Sequence, residues 1–141
     1  DFASRYNELE GDLMAAGALL HDIGKVESYS LENFIDYTDS GRLIGHIVIG
    51  DEIVKAALVG LPDFPPQKSL KIRHLILSHQ GSPEQSSPVP PMMPEGIALY
   101  LADLLDSNCN HRRLAAGDPG PGDSDYIGNL PRLLTAYHHR R

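Results

Sequence analysis

LLHDIGK, residues 19–25, is the stretch on which the reading of this chain turns. It closes an apolar helical run that starts at Asp12, an N-cap residue type, and carries Leu13, Ala16, Gly17 and Leu20 at three- and four-residue spacing, with Gly24 as its stop. His21 and Asp22 are expected on the last turn of that helix. A carboxylate set directly after the run AGALL (16–20) is costly to bury unless a cation or hydrogen-bond donors meet it. Alone, a His-Asp pair is an unspecific signal. Its weight depends on where the other His and Asp residues fall.

Downstream, residues 33–43 alternate weakly through Phe34, Ile35, Tyr37 and Thr38 and then meet the turn chemistry of Asp39, Ser40 and Gly41, which favours a short hairpin or extended loop over a helix. The helical period returns from Ile44 to Leu58 and is closed by Gly60 and Pro62, with His46 in its first turn. A Pro-rich connector over 63–67 leads to a helix that Ser69 can cap, running from Leu70 to His79 and ended by Gly81. Five prolines between Ser82 and Pro94 leave no helical period, so this segment is expected to wrap the surface as a loop. Pro94 fits the first position of a helix running to about Asn110, with Asp103 and Asp106 at i and i+3. Residues 115–125, AAGDPGPGDSD, have the composition of a flexible linker, followed by a last helix near Leu130–His139. The expected fold class is therefore all-α: a bundle of five or six helices with a short hairpin-like insertion and a Pro-rich loop, in a single domain over 1–141.

At 141 residues and 41% hydrophobic content the chain has material for one real core. The net charge of -7 makes a nonspecific nucleic-acid binder or a membrane-surface protein a poor first guess. That charge is uneven: residues 1–63 hold four bases and twelve acids, residues 64–141 eight bases and seven acids. Any anion must be met locally, by an Arg-bearing face or by bound cations. Cys109 is the only cysteine, which excludes an intrachain disulfide and a thiolate zinc cage and suits a reducing cytoplasm. No apolar stretch approaches the ~20 residues of a membrane span. The chain starts at Asp1 rather than Met, so a longer natural protein is expected.

Imidazole and carboxylate are ligands of borderline and hard divalent ions, and four expected helices present them at or near their ends: His21 with Asp22, His46, His74 or His79, and Asp103. Each residue alone is more often a solvated or core-satisfied side chain. Together they ask for a convergent metal cluster.

LLHDIGK at 19–25, GHIVIG at 45–50, HLILSHQG at 74–81, SPVPP at 87–91 and YLADLLDSN at 100–108 make the chain resemble the HD-domain metal-dependent phosphohydrolases, within which it is most similar to the catalytic part of the YhaM-type 3'-5' exoribonucleases. The resemblance covers roughly residues 9–137. It implies an HD-type helical bundle in which His21, Asp22 and Asp103 ligate a first metal and Asp22 bridges to a second held by His46 and His79. Asp106, three residues on, is the alternative to Asp103. His74 lies about 140° around a helix from His79 and is read as a packing or supporting residue.

The resemblance also implies a first His ligand on a preceding helix. No His precedes His21, so that ligand is expected upstream of Asp1 or is lost, and Gln80 stands where the family tends to place a second His. The implied outcome is at most one well-occupied ion. With no thiolate, Mn²⁺ is the first choice, and Fe²⁺, Ni²⁺, Mg²⁺ and Zn²⁺ are compatible. Asp22 and Lys25 are the catalytic candidates, Lys25 because it falls one helical turn after His21 if the helix persists. Lys25, Gln80 and Ser87 are the substrate-binding candidates.

The activity implied is hydrolysis of phosphodiester bonds by a metal-activated water, from the 3' end of RNA or single-stranded DNA, with an OB-type domain upstream supplying the strand grip. Two readings stand beside it: a phosphatase or diesterase for small nucleotides, and a degenerate regulatory domain that binds metal without turnover.

Overall fold

The computed structural model describes residues 9–30 and 35–115, with side chains to 109. Six α-helices carry the described chain: α1 (Gly11–Leu20), α2 (Lys25–Ser28), α3 (Asp39–Leu43), α4 (His46–Val59), α5 (Pro66–Ser78) and α6 (Pro94–Ala115). Between α2 and α3, β1 (Tyr29–Ser30) pairs antiparallel with β2 (Asp36–Tyr37), Tyr29 opposite Tyr37. The fold is all-α with a two-stranded insertion, as the sequence reading expects. No helix among the described residues is long and apolar enough to cross a membrane. The chain divides into two compact units at Asp103/Leu104, inside α6, and the core and site described below lie in the first.

The core is built on α5. Leu75 and Ile76 are fully buried and meet Leu13 of α1, Val54 of α4 and Leu99 of α6, with Ile72 one turn earlier. The three- and four-residue spacing of Ile72, Leu75 and Ile76 places them on one stripe of α5, which lies against α1 and α4 at once. Arg73 adds a bidentate pair to Asp51 of α4 at 2.7 and 2.8 Å. The Glu10 amide donates to Glu95 Oε1 at 3.0 Å, tying the start of α1 to the start of α6. Leu75→Ala, which opens a cavity at the centre of this cluster, is expected to lower unfolding free energy by roughly 2–5 kcal/mol in urea titrations.

Three local expectations are corrected. Asp39-Ser40-Gly41 is not a turn but the first turn of α3, because Thr38 caps it: its Oγ1 accepts the Gly41 amide at 2.9 Å. Residues that make turns also make N-caps, and the sequence does not separate the two. The third long helix begins at Pro66 rather than near Ser69, since a proline at the first helical position has its φ preset and no amide to satisfy. Finally, α1 ends at Leu20, and a turn separates it from α2, so Lys25 does not sit one helical turn beyond His21. The Pro-rich segment is a loop as expected, with one 3-10 turn at Pro83–Gln85 closed by a Ser82/Gln85 capping box. The linker expected over 115–125, beyond Ala115, and the helix expected over 130–139 lie outside the described residues.

Candidate metal centre

Where α1 stops, His21 occupies the C-cap position with its amide bonded to Gly17 O, and the turn that follows carries Asp22. That turn is pressed onto the first turns of α4 through Gly24. A Cβ at Gly24 would run into the His46 carbonyl oxygen and stand 2.6 Å from Gly50 N, so only glycine lets the two backbones meet this closely. From the other side, Gly45 caps α4 with φ 86°, a left-handed value that L side chains avoid, and starts the helix at His46. Asp22 and His46 are thereby brought together. His79 comes in at the end of α5.

Asp22 Oδ1 lies 3.3 Å from His46 Nε2 and 3.7 Å from His79 Nε2. Asp22 Oδ2 lies 3.3 Å from His21 Nε2 and 2.6 Å from Lys25 Nζ. His21 Nε2 is in turn 3.9 Å from Asp103 Oδ1. The two oxygens of one carboxylate thus face two different sets of groups. Asp22, His46 and His79 form the tighter set, with one ligand atom from each within 4.8 Å of the others.

Proton positions follow from the hydrogen bonds. His21 Nδ1 sits 3.0 Å from Ala18 O and His79 Nδ1 sits 2.7 Å from Ile76 O. A carbonyl only accepts, so Nδ1 carries the proton in both rings and a neutral ring offers the Nε2 lone pair to the cluster. His79 is 1% exposed, and burial pushes its pKa down, toward that neutral form. Burial pushes the Asp22 carboxyl up, but the neighbouring His21, His46 and Lys25 outweigh it and hold the group far below the usual carboxylate range. The Asp22 carboxylate beside it raises the pKa of His21.

Asp22 Oδ1 and His79 Nε2 are buried and have no hydrogen-bond partner. Two acceptors facing one another without a donor are costly to desolvate, and a divalent cation between them satisfies both. Neutral imidazole and carboxylate are also the right donor chemistry. The residues present fit a divalent ion.

The other expected residues fall around this cluster. Lys25 is half exposed and paired with Asp22. Gln80 places its side-chain nitrogen 3.4 Å from His46 Nε2, while its backbone amide donates to Ser87 Oγ at 3.0 Å. Ser87 is buried. His74 faces elsewhere: its Nε2 accepts the Met92 amide at 2.9 Å and pins the Pro-rich loop. Between α4 and that loop runs a groove of about 260 Å³, lined among others by Ile44, His46, Ile47, Val48, Gln80 and Ser86. Sequence reasoning did not find this groove. The spacing Ser82-x-x-Gln85, a capping-box signature, was the available sign that the loop is built rather than loose.

The HD domain family model matches residues 1–108. Among curated proteins, the 3'-5' exoribonuclease YhaM of Bacillus licheniformis is 42% identical over 122 residues, covering 86% of this chain and 38% of that protein. YhaM of Bacillus subtilis is 40% identical over 122 residues, with the same coverage, and that of Bacillus pumilus 40% over 120 residues, covering 84% and 37%. The chain therefore spans less than two fifths of the length of these relatives. No solved structure matches it at a significant level.

Proposed function

This chain belongs to the HD-domain family, and from that premise we propose that it is a metal-dependent phosphohydrolase cleaving phosphodiester bonds at the 3' end of RNA or single-stranded DNA. The observation that carries the reading is the facing pair of buried, unpartnered acceptors, Asp22 Oδ1 and His79 Nε2. The likeness to the YhaM exoribonucleases supports the choice of substrate. Asp22, His46 and His79 would hold one ion, and Asp22, His21 and Asp103 would be the donors for a second. Mn²⁺ is the first choice, with Fe²⁺, Ni²⁺, Mg²⁺ and Zn²⁺ compatible with the same donors. When bound, such an ion supplies Lewis acidity, bringing the pKa of a water toward ~7 and drawing charge from phosphoryl oxygens.

The chain's own residues do the rest. Asp22, shared between both donor sets, fixes where charge is neutralised. Lys25, half exposed beside it, offers its ammonium to the phosphoryl oxygens. Gln80 presents its side-chain amide at the rim, where it hydrogen-bonds a water or a phosphate oxygen. Ser87 Oγ already accepts from the Gln80 amide, which leaves its hydroxyl hydrogen to donate to phosphate.

The test is an assay of the chelator-free protein on 5'-labelled single-stranded RNA and on bis(p-nitrophenyl) phosphate, with Mn²⁺ or with EDTA. The expected result is Mn²⁺-dependent hydrolysis of both, the RNA shortening from its 3' end. No hydrolysis of either diester with any of the five metals overturns the reading. Turnover of mononucleotides alone replaces it with the small-nucleotide phosphatase.

A further inference from the structure

We infer that the groove beside the cluster receives the nucleoside of the terminal nucleotide, with the Ser86 hydroxyl bonded to its sugar; this rests on the phosphodiesterase reading above. His46 and Gln80 line the groove and also face the cluster, so a phosphate held at the cluster has its attached nucleoside at the groove mouth. The volume, about 260 Å³, lies just below the ~300–1,000 Å³ of drug-sized pockets, a scale that suits one nucleoside. An enzyme that removes one unit at a time needs a site of that size next to the cleaved bond. Ile44, Ile47, Val48 and Pro88 give apolar walls for the flat faces of a base, and Ser86 a hydroxyl.

Ser86 carries the inference further, because it is the one non-glycine residue among the described residues with positive φ, at 86°. A glycine would sit there without strain, whereas serine bears the strain and keeps a hydroxyl at the groove. Strain of this kind persists only where surrounding contacts over-determine the backbone. Here the loop is fixed by the Ser82/Gln85 capping box, by Gln85 to Tyr100 OH at 3.1 Å, by the Gln80 amide to Ser87 Oγ, and by the Met92 amide to His74 Nε2. The groove wall is thus preformed, and ordering it costs the ligand nothing at the moment of binding.

Calorimetric titration of the Mn²⁺-loaded chain with adenosine 5'-monophosphate and with inorganic phosphate tests this. The nucleotide should bind at least about tenfold more tightly than phosphate. Val48→Trp, which fills the groove, should bring that ratio to within about twofold. Ser86→Gly should lower it roughly three- to tenfold while the thermal midpoint holds or rises, since relieving φ strain favours the fold. If Val48→Trp does not fold, Ser86→Gly carries the test. Equal affinity for nucleotide and phosphate in the parent, or a Ser86→Gly ratio equal to the parent's, overturns the groove assignment while Mn²⁺-dependent diester hydrolysis leaves the phosphohydrolase reading standing. Absence of both binding and hydrolysis overturns the two together.

Discussion

Replacing Asp22 by Asn is expected to lower kcat/KM for Mn²⁺-dependent diester hydrolysis by at least ~10³-fold, on the order of 4 kcal/mol of transition-state stabilisation. The side chain keeps its shape, so the effect isolates the charge. Oδ1 faces His46 and His79 while Oδ2 faces His21 and Lys25, and a neutral amide weakens both sides at once. An amide also puts a donor where His79 Nε2 and the neighbouring imidazole lone pairs need a cation. Bound manganese, measured by elemental analysis after dialysis, should fall with the activity. Lys55→Ala, on the exposed face of α4, should change neither quantity. Parent-like activity in the Asp22 variant removes this residue from the centre of the account.

Gly24→Ala should have the largest effect on folding of any single-methyl change near the site. The added carbon meets backbone, the His46 carbonyl and the Gly50 nitrogen, and hydrogen-bonded backbone in the first turns of α4 cannot swing aside as a side-chain tip can. Overpacking a core costs ~1–3 kcal/mol where side chains can adjust, so a loss of roughly 3 kcal/mol or more is expected in urea unfolding. Gly11→Ala is the matched control: no atom lies within 4 Å of its Cβ position, and reduced unfolded-chain entropy should stabilise the protein by roughly 0.5 kcal/mol. Similar midpoints for the two variants would mean that the Asp22 turn does not press on α4.

Both results bear on what a sequence can tell. The His21-Asp22 pair was legible because a charge after an apolar run demands a partner, and because five motif blocks fall in a family's order. Gly24 was read only as a helix stop. Its role depends on His46 and Gly50, more than twenty residues away, and periodicity carries no information about such a crossing. The choice of His79 over His74 followed from their separation of about 140° around a helix, but the partner of His74 needed coordinates: its ring takes the Met92 amide of the Pro-rich loop. Lys25 illustrates the opposite failure. It was placed one helical turn after His21 on an unbroken helix, whereas a turn intervenes and it forms an i,i+3 ion pair with Asp22 that the spacing did not announce. The strain at Ser86 is a property of φ and cannot be read from residue type.

The most direct test of the central claim is the position of the ion itself. Crystals of the chain soaked in Mn²⁺ and measured for anomalous scattering should show a peak roughly 2.0–2.3 Å from both Asp22 Oδ1 and His79 Nε2, with His46 as a third ligand. Saturating Mn²⁺ that leaves no peak at these atoms, or places its ordered peak elsewhere, would contradict the account.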